Sequence, residues 1–298
     1  RVGLNPEQLR HVEETEMSFR LNGALLSDAD KKKLVELNRQ LAEITQLFSN
    51  NVLDDKQRWE LILEDESRLA GLPPSAKQGA KALALAKGIG SDENPKWRFT
   101  LDHPSYIPVM RYADDDDLRK EMQLASLAVG RSTEYNNVPV VKDILMLRKE
   151  KASLLGFEQF SDLVLNTRMA KDGQSALTFV EDLFLKTKPF FDREVSELEA
   201  YKAKLTGGTI GPLNPWEGPY YAEKLQHETC SVSDEELRPY FTVEASMSGF
   251  FDLAHQLFGI TIDRVAGDRT GTTDQAEFQI WHEDVRVYQI YDEDGSYI

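Results

Sequence analysis

Cysteine is nearly absent from this sequence, because Cys230 is the only one among 298 residues. A disulfide framework and a multi-cysteine zinc or iron–sulfur site are therefore excluded. No apolar run approaches the roughly 20 residues that span a bilayer, so we expect no contact with membranes. Basic residues are few relative to acidic ones, 35 against 51, and the net charge is −16. Because phosphate is repelled by such a surface, we expect no nucleic-acid partner.

Recognisable catalytic motifs are also missing. A zinc helix of the His-Glu-x-x-His type needs two histidines four residues apart, and neither His227 nor His282, each followed by Glu, has the second one. His227 and Cys230 have a helical spacing that permits a shared metal, but no second pair accompanies them. The serine elbow Gly-x-Ser-x-Gly and the phosphate-binding Gly-x-x-x-x-Gly-Lys loop are absent. The motifs alone thus predict no catalytic machinery.

Helical signals dominate what is present. Asn5 and Gln8 form the pattern of a capping box, which predicts a helix to about Leu21. Ser27 with Asp30 opens a second helix, whose apolar positions recur at spacings of three and four. That stripe comprises Leu34, Leu37, Leu41, Ile44 and Phe48.

Further helices and a few strands follow along the chain. The predicted helices are 74–87, 138–155, 159–165, 175–205 and 243–258, and Pro189 lies inside the fourth of these. A further helix is predicted to follow the acidic run 114–117 and to end near residue 129. The predicted strands are 59–63, 97–101 and 285–291, with strand concentrated after Ile260. The fold class is therefore mainly α, with a small β-sheet element near the C-terminal end.

The acidic run from Asp114 to Asp117 has two interpretations. Four carboxylates can hold a metal ion, but carboxylates also favour the N-terminus of a helix through the helix dipole. The second interpretation is preferred, because a helical pattern starts at Leu118.

The chain divides into three parts by composition. Residues 1–206 form a helical scaffold region, 207–219 a junction with four Gly and three Pro, and 220–298 a set of helices leading into a truncated β-hairpin. The hairpin consists of the strand 285–291, a turn, and three returning residues. Because the first residue is arginine and the last strand is so short, we expect a piece of a longer protein. A three-residue partner leaves the edge of strand 285–291 unpaired, which favours low order in 260–298 or self-association along that edge.

Nine stretches, in order and spacing, resemble the thimet oligopeptidase / oligopeptidase A family of zinc metallopeptidases. They are Phe48–Asp54, Ala70–Pro73, Leu101–Met110, Leu147–Phe157, Thr167–Ala170, Tyr220–Leu225, Leu237–Phe241, Leu257–Ile260 and Trp281–Tyr288. The resemblance implies a multi-helical scaffold around a deep channel that admits short peptides. It also implies a zinc ion in a His-Glu-x-x-His helix, where the glutamate activates a zinc-bound water.

That zinc motif lies beyond the last residue of this sequence. No catalytic or zinc-ligand residue can be transferred, so zinc is expected in the full-length family member and no cofactor is expected in this chain. The resemblance places the segment 281–291 near the cleft, which makes Arg286 and Tyr288 candidate substrate-binding residues.

The leading hypothesis is the N-terminal and middle portion of a zinc-dependent oligopeptidase, inactive by itself. Its expected partners are short peptides and the missing C-terminal catalytic part. The alternatives are a non-catalytic helical protein that binds peptides or a partner, and one half of a naturally split peptidase. The single cysteine and the lack of a signal pattern favour the cytoplasm, or an organelle matrix if a leader preceded Arg1.

Overall fold

The computed structural model describes residues 3–231, 234–265, 267–268 and 278–298. The chain separates into two compact units, Arg1–Thr229 and Cys230–Ile298. More than half of the residues are in α-helices, which confirms the mainly α fold class. No helix within the described ranges is both long and apolar enough to cross a membrane. The three-part organisation predicted from composition stays a prediction.

The first unit contains nine of the α-helices and one antiparallel strand pair. Its elements in chain order are α1 (Pro6–Leu21), α2 (Asp28–Arg58), β1 (Glu60–Leu63), α3 (Pro74–Ala86), β2 (Trp97–Thr100), α4 (His103–Tyr112), α5 (Asp116–Ala128), α6 (Asn137–Leu154), α7 (Phe160–Leu165), α8 (Gly173–Thr206) and α9 (Gly218–Cys230). The last residue of α9 belongs to the second unit.

The predicted caps start the first two helices. Asn5 accepts a hydrogen bond from the amide of Gln8 at 2.8 Å, and the Gln8 side chain accepts one from the amide of Asn5 at 3.1 Å. Ser27 caps α2 by accepting from the amide of Asp30. These bonds satisfy amides that lack an intrahelical acceptor, so the start of each helix is fixed by local sequence.

The residues of the predicted apolar stripe of α2 differ in how deeply they are buried. Leu34 and Leu37 are buried, whereas Leu41, Ile44 and Phe48 are only half-buried. The main neighbour of α2 is α6, which contributes the buried Val140 and Ile144.

The largest buried cluster surrounds the strand pair. β1 and β2 are antiparallel, with Leu61 opposite Phe99 and Leu63 opposite Trp97. α3, α4 and α5 complete this cluster with side chains that are almost fully inaccessible, among them Val109, Leu118 and Met122. Both predicted strands are confirmed, and their pairing builds the core of the first unit.

α4 lies in a segment with no predicted helix, and it contains two prolines among its ten residues. Pro104 lies in the first turn, where the amide has no intrahelical partner. Pro108 lies four residues later, so its missing N–H removes only the bond to the carbonyl of Pro104. The helix tolerates both prolines for that reason.

The second unit combines a helix with short strands. Its elements are α10 (Asp234–Leu237), α11 (Val243–Phe258), β3 (Thr261–Val265), β4 (Gly267–Asp268), β5 (Phe278–Gln279) and β6 (Val287–Tyr291). β3 and β6 are antiparallel over five residue pairs, and β4 pairs with β5 in parallel. α11 ends at Phe258, as predicted, and Gly259 follows it in the left-handed region at φ 72°.

The predicted start of the final strand needs correction. The strand begins at Val287 rather than Val285, because the amides of Asp284 and Val285 bond back to His282 and form a turn. One edge of the strand pairs with β3 along its whole length. On the other edge Tyr297 bridges to Tyr291, and the Ile298 amide donates to the Ile290 carbonyl at 3.0 Å.

The sequence also predicts a capping box over Ser233–Glu236 and a polar surface loop over Gly267–Gln275. Ser233 and most of that loop lie outside the described residues.

Candidate functional site

Arg286 and Tyr288, the two residues predicted to approach substrate, turn toward α11 within the second unit. The Tyr288 ring meets Phe251 edge to face, with ring centres 5.2 Å apart. The Arg286 Nη2 atom lies 2.9 Å from the Glu244 Oε1 atom in the first turn of α11. The structure thus brings both candidates to one surface, where β6 covers part of the helix.

The Arg286–Glu244 pair is open to solvent. The Arg286 side chain is 35% exposed and that of Glu244 71%. Their hydrogen bond lowers the pKa of the Glu244 carboxyl, and it raises the pKa of Arg286, with a further contribution from Tyr288. An exposed ion pair contributes little to stability, so the guanidinium can exchange Glu244 for another carboxylate at small cost.

The opposite face of β6 has different chemistry. The Tyr291 hydroxyl donates to the Gln289 Oε1 atom at 2.7 Å, and the Tyr291 ring lies 6.1 Å from that of Tyr297. Side chains therefore alternate along this segment, with a cationic and aromatic face toward α11 and a hydroxyl and amide face away from it.

The acidic run leads into the first turn of α5, as predicted. Asp115 caps the helix by accepting from the Leu118 amide at 3.0 Å, and it accepts from Arg68 Nε at 2.6 Å. Asp114 accepts from the Tyr220 hydroxyl at 2.7 Å, and Asp116 from the Trp216 indole at 3.1 Å. These carboxylates are engaged by donors of this chain, which supports the helix-terminus interpretation over a metal site.

A polar cluster that the sequence analysis missed holds α9 against α5. Its centre is Arg119, whose side chain is only 2% exposed and bonds to the carbonyls of Ala113 and Trp216 and to Asp116. The guanidinium carbon also lies 4.0 Å from the centre of the Tyr220 ring. An arginine one turn after an acidic run gives no sequence signal of burial. The burial of Arg119 is therefore seen only in the structure.

The neighbouring carboxylates complete this cluster. Glu223 on α9 pairs with Arg111 on α4, with Arg111 Nε 2.8 Å from Glu223 Oε2. Glu217 accepts from Lys202 on α8 and from the Asn214 amide, each at 2.7 Å. Both glutamates are buried, so these bonds hold α9 and the segment before it in one position.

A groove on the first unit runs between α2 and α6. Its volume is about 500 Å³. The floor is apolar and the rim carries three carboxylates; the lining residues are Gln40, Glu43, Ile44, Leu47, Asp143, Met146, Leu147 and Glu150. Two of the carboxylates are already paired, Glu43 with Arg39 and Glu150 with Lys33.

The residues that the structure describes contain no candidate metal centre. No three His, Cys, Asp or Glu side chains there are grouped so that they can hold a metal ion. The His255 Nδ1 atom is instead 3.2 Å from the Ile260 carbonyl, and the His282 Nδ1 atom is 3.5 Å from Asp284. The described residues therefore do not fit a zinc ion.

Comparison with known proteins gives consistent matches over most of the chain. The sequence pattern of Peptidase family M3 matches residues 109–298. Oligopeptidase A of Salmonella typhimurium is 38% identical over 298 residues, which is 98% of this chain and 41% of that protein. Oligopeptidase A of Escherichia coli is 36% identical over 98% of this chain and 41% of that protein. An organellar oligopeptidase A of Arabidopsis thaliana, named as chloroplastic and mitochondrial, is 31% identical over 93% of this chain and 34% of that protein. The chain thus spans about two fifths of the length of these bacterial relatives.

Proposed function

Because this chain belongs to Peptidase family M3, we propose that it forms the N-terminal and middle portion of a zinc-dependent oligopeptidase that hydrolyses short peptides. The observation that carries the proposal is the match to oligopeptidase A along 98% of the chain. The cytoplasm or an organelle matrix is the proposed location, since one related protein is named as organellar.

The proposal assigns zinc and the cleavage step to residues outside this chain. The described residues supply no ligand set for zinc, and no catalytic step is derived from them. The function of these residues is to form a wall beside the peptide, and the chain alone is inactive.

Arg286 and Tyr288 are the proposed peptide-contacting residues. The half-exposed guanidinium can bind a peptide carboxylate or carbonyl in place of Glu244, and the Tyr288 hydroxyl lies beside it. The edge-to-face contact with Phe251 holds the Tyr288 ring while this exchange occurs.

Two proteins test the proposal: the purified chain, and a chimera in which the chain replaces the matched region of Salmonella typhimurium oligopeptidase A. With added zinc, the chain should not cleave a quenched fluorescent peptide, and the chimera should cleave it. Chelator-sensitive cleavage by the repurified chain would refute the assignment of zinc and cleavage to residues outside this chain. A folded chimera that binds zinc and cleaves no peptide would refute the assignment to an oligopeptidase.

The peptide-contact residues are tested in the same chimera. Arg286→Gln should raise KM about tenfold, the effect of losing one charged hydrogen bond, with little change in kcat. The matched control Arg131→Gln changes an exposed arginine in the first unit and should leave KM unchanged. An equal KM in both variants would remove Arg286 from the peptide site.

A second candidate function is binding of peptides without cleavage. The groove between α2 and α6 favours it, because an apolar floor with a carboxylate rim suits an amphipathic cationic peptide. Fluorescence anisotropy should then show binding of a Lys/Leu peptide and none of its Glu/Leu counterpart. Met146→Glu should weaken the binding, whereas the same change at the exposed Val35, on α2 outside the groove lining, should not.

A further inference from the structure

A cleft in the first unit lies between α1 and the segment 166–172, which joins α7 to α8. The volume of the cleft is about 810 Å³, and a smaller cavity beside it has a volume of about 320 Å³. Met17, Leu21 and Asn166 line both of them. The rest of the smaller cavity is mostly apolar, with Leu25, Leu26, Leu155 and Phe157 in its wall. A polar cleft and an apolar cavity thus meet at these three shared residues.

The two walls of the cleft differ in charge. On α1, Arg10 pairs with Glu14 at 2.7 Å, and Glu13 also lines this wall. On the other wall Arg168 and Lys171 are exposed, and no carboxylate of the described residues lies within ion-pair distance of either. A guanidinium and an ammonium without a partner are donors suited to a carboxylate. The wall formed by segment 166–172 therefore favours an anion.

Two local features distinguish the same wall. The Asn166 Oδ1 atom is inaccessible to solvent, and it has no hydrogen-bond partner among the described residues. An unpaired buried oxygen is costly, so an N–H donor that pairs with it stabilises the complex. Lys171 has φ 67°, in the left-handed region that few side chains adopt, and backbone strain of this kind is concentrated at ligand sites. A ligand with a negative charge and an N–H donor satisfies both features.

We propose that this cleft binds the C-terminal end of a peptide whose last residue is apolar. The carboxylate binds Arg168 and Lys171, and the last side chain enters the smaller cavity. Asn166 turns about its Cβ–Cγ bond and accepts a hydrogen bond from the last amide N–H of the peptide. A fatty acid has the same carboxylate and an apolar chain, but it has no N–H group for Asn166.

The source of this ligand rests on the proposed function. Hydrolysis of a peptide bond leaves one product with a new C-terminal carboxylate, so an oligopeptidase generates molecules of this class. The cleft is then a second peptide site, formed by residues other than Arg286 and Tyr288, and it takes product peptides. Binding to this site is measured without cleavage, so it is tested separately from the activity.

Isothermal titration calorimetry of the purified chain at pH 7 tests the proposal. The probes are acetyl-Ala-Ala-Leu with a free carboxylate, the same peptide with a C-terminal amide, and octanoate. The first probe should bind. The amidated peptide should bind at least about tenfold more weakly because it lacks the charge, and octanoate at least about tenfold more weakly because it lacks the N–H group. No binding of the first probe, or a Kd equal to that of either other probe, would overturn the proposal.

Substitutions in the chain locate the binding. Arg168→Gln and Lys171→Asn should each raise the Kd of acetyl-Ala-Ala-Leu about tenfold, and asparagine is chosen because it tolerates the left-handed region. The matched control Arg131→Gln, at an exposed arginine of the first unit, should leave the Kd unchanged. Equal Kd values in all three variants would overturn the proposal. Loss of binding in Arg286→Gln alone would also overturn it, because the carboxylate then belongs to the other peptide-contacting residues.

Asn166→Leu tests the preference for a peptide over a fatty acid. Because this variant lacks the acceptor, its Kd values for acetyl-Ala-Ala-Leu and octanoate should lie within about twofold of each other. A preference for the peptide that persists in Asn166→Leu would refute the role of Asn166.

Cleavage by the chimera described above reports on the proposed function separately. Binding by the chain together with an inactive chimera supports this site and refutes the function, and an active chimera without binding by the chain does the reverse.

Discussion

Arg119 is a charged side chain in a position that is as inaccessible as the apolar core. Its guanidinium replaces the lost water with two backbone carbonyls, a carboxylate and the face of an aromatic ring. Because the carbonyls belong to the turn before α5 and to the segment before α9, this one residue joins two parts of the first unit.

Replacing Arg119 with a side chain of similar length should therefore be costly. Arg119→Met leaves the carbonyls of Ala113 and Trp216 without a donor, and we expect a loss of about 2–4 kcal/mol in the free energy of unfolding. Urea unfolding followed by circular dichroism measures it. Arg131→Met, at an exposed arginine, should change the free energy by less than about 0.5 kcal/mol. Equal midpoints for the two variants would contradict the role of Arg119.

Asp115 links stability to pH. Burial acts to raise the pKa of its carboxyl, but the bonds from Arg68 and the Leu118 amide outweigh it and the pKa is lowered. A lowered pKa gives stability that is present above the ordinary aspartate value of about 4 and is lost as the pH falls below it.

Asp115→Asn keeps a good helix cap and removes the charge. We expect it to lower the free energy of unfolding by about 1 kcal/mol at pH 7, with the difference shrinking toward pH 3. Urea titrations at the two pH values measure this. Asp143→Asn, at an exposed aspartate of α6, should change the free energy of unfolding by less than about 0.5 kcal/mol at either pH. A constant difference for Asp115→Asn would show that the charge is not the cause.

At the scale of helices and strands, the sequence predicts features that depend on neighbouring residues, but it does not predict pairings between distant segments. The caps at Asn5 and Ser27, the glycine after α11 and the apolar stripe of α2 depend on neighbours within a few residues. The pairing of β1 with β2 joins residues about 38 apart, and the pairing of β3 with β6 joins residues about 26 apart. No short pattern encodes such a partner. Of the candidate site, the sequence predicts which face Arg286 and Tyr288 share, but not that α11 covers this face.

Two glycines near α3 allow a test of local against tertiary control. Gly79 lies inside α3 with open space around it, so Gly79→Ala should stabilise the protein by about 0.5–1 kcal/mol through helix propensity. Gly71 has φ +82°, and a Cβ there meets the Tyr112 carbonyl oxygen at 2.2 Å. Gly71→Ala should therefore destabilise by at least about 2 kcal/mol. Thermal melts measure the change in Tm of each variant. Changes in Tm of the same sign would refute the assignment of Gly79 to local control and Gly71 to tertiary control.

On the scale of the whole molecule, the two units differ in how their strands are supported. β1 and β2 lie inside a core of helices, with Phe99 and Leu63 almost inaccessible. β3 and β6 form a two-stranded pair, and the residues of β6 are half-buried or exposed. A two-stranded pair is marginal in water unless other elements cover it. The second unit should therefore open more readily than the first.

Hydrogen exchange tests this difference in the purified chain. At low concentration, the amides of Val287–Tyr291 should exchange at least about a hundredfold faster than those of Leu34 and Leu37, because a locally opening pair exchanges without global unfolding. The β1–β2 amides are the internal control, since the same strand geometry there lies within a packed core. Raising the concentration should slow exchange in β6 alone if its second edge, met among the described residues by Tyr297 and Ile298, templates another chain. Protection of Val287–Tyr291 equal to that of α2 in a monomer would show that β3 and α11 suffice to stabilise the strand.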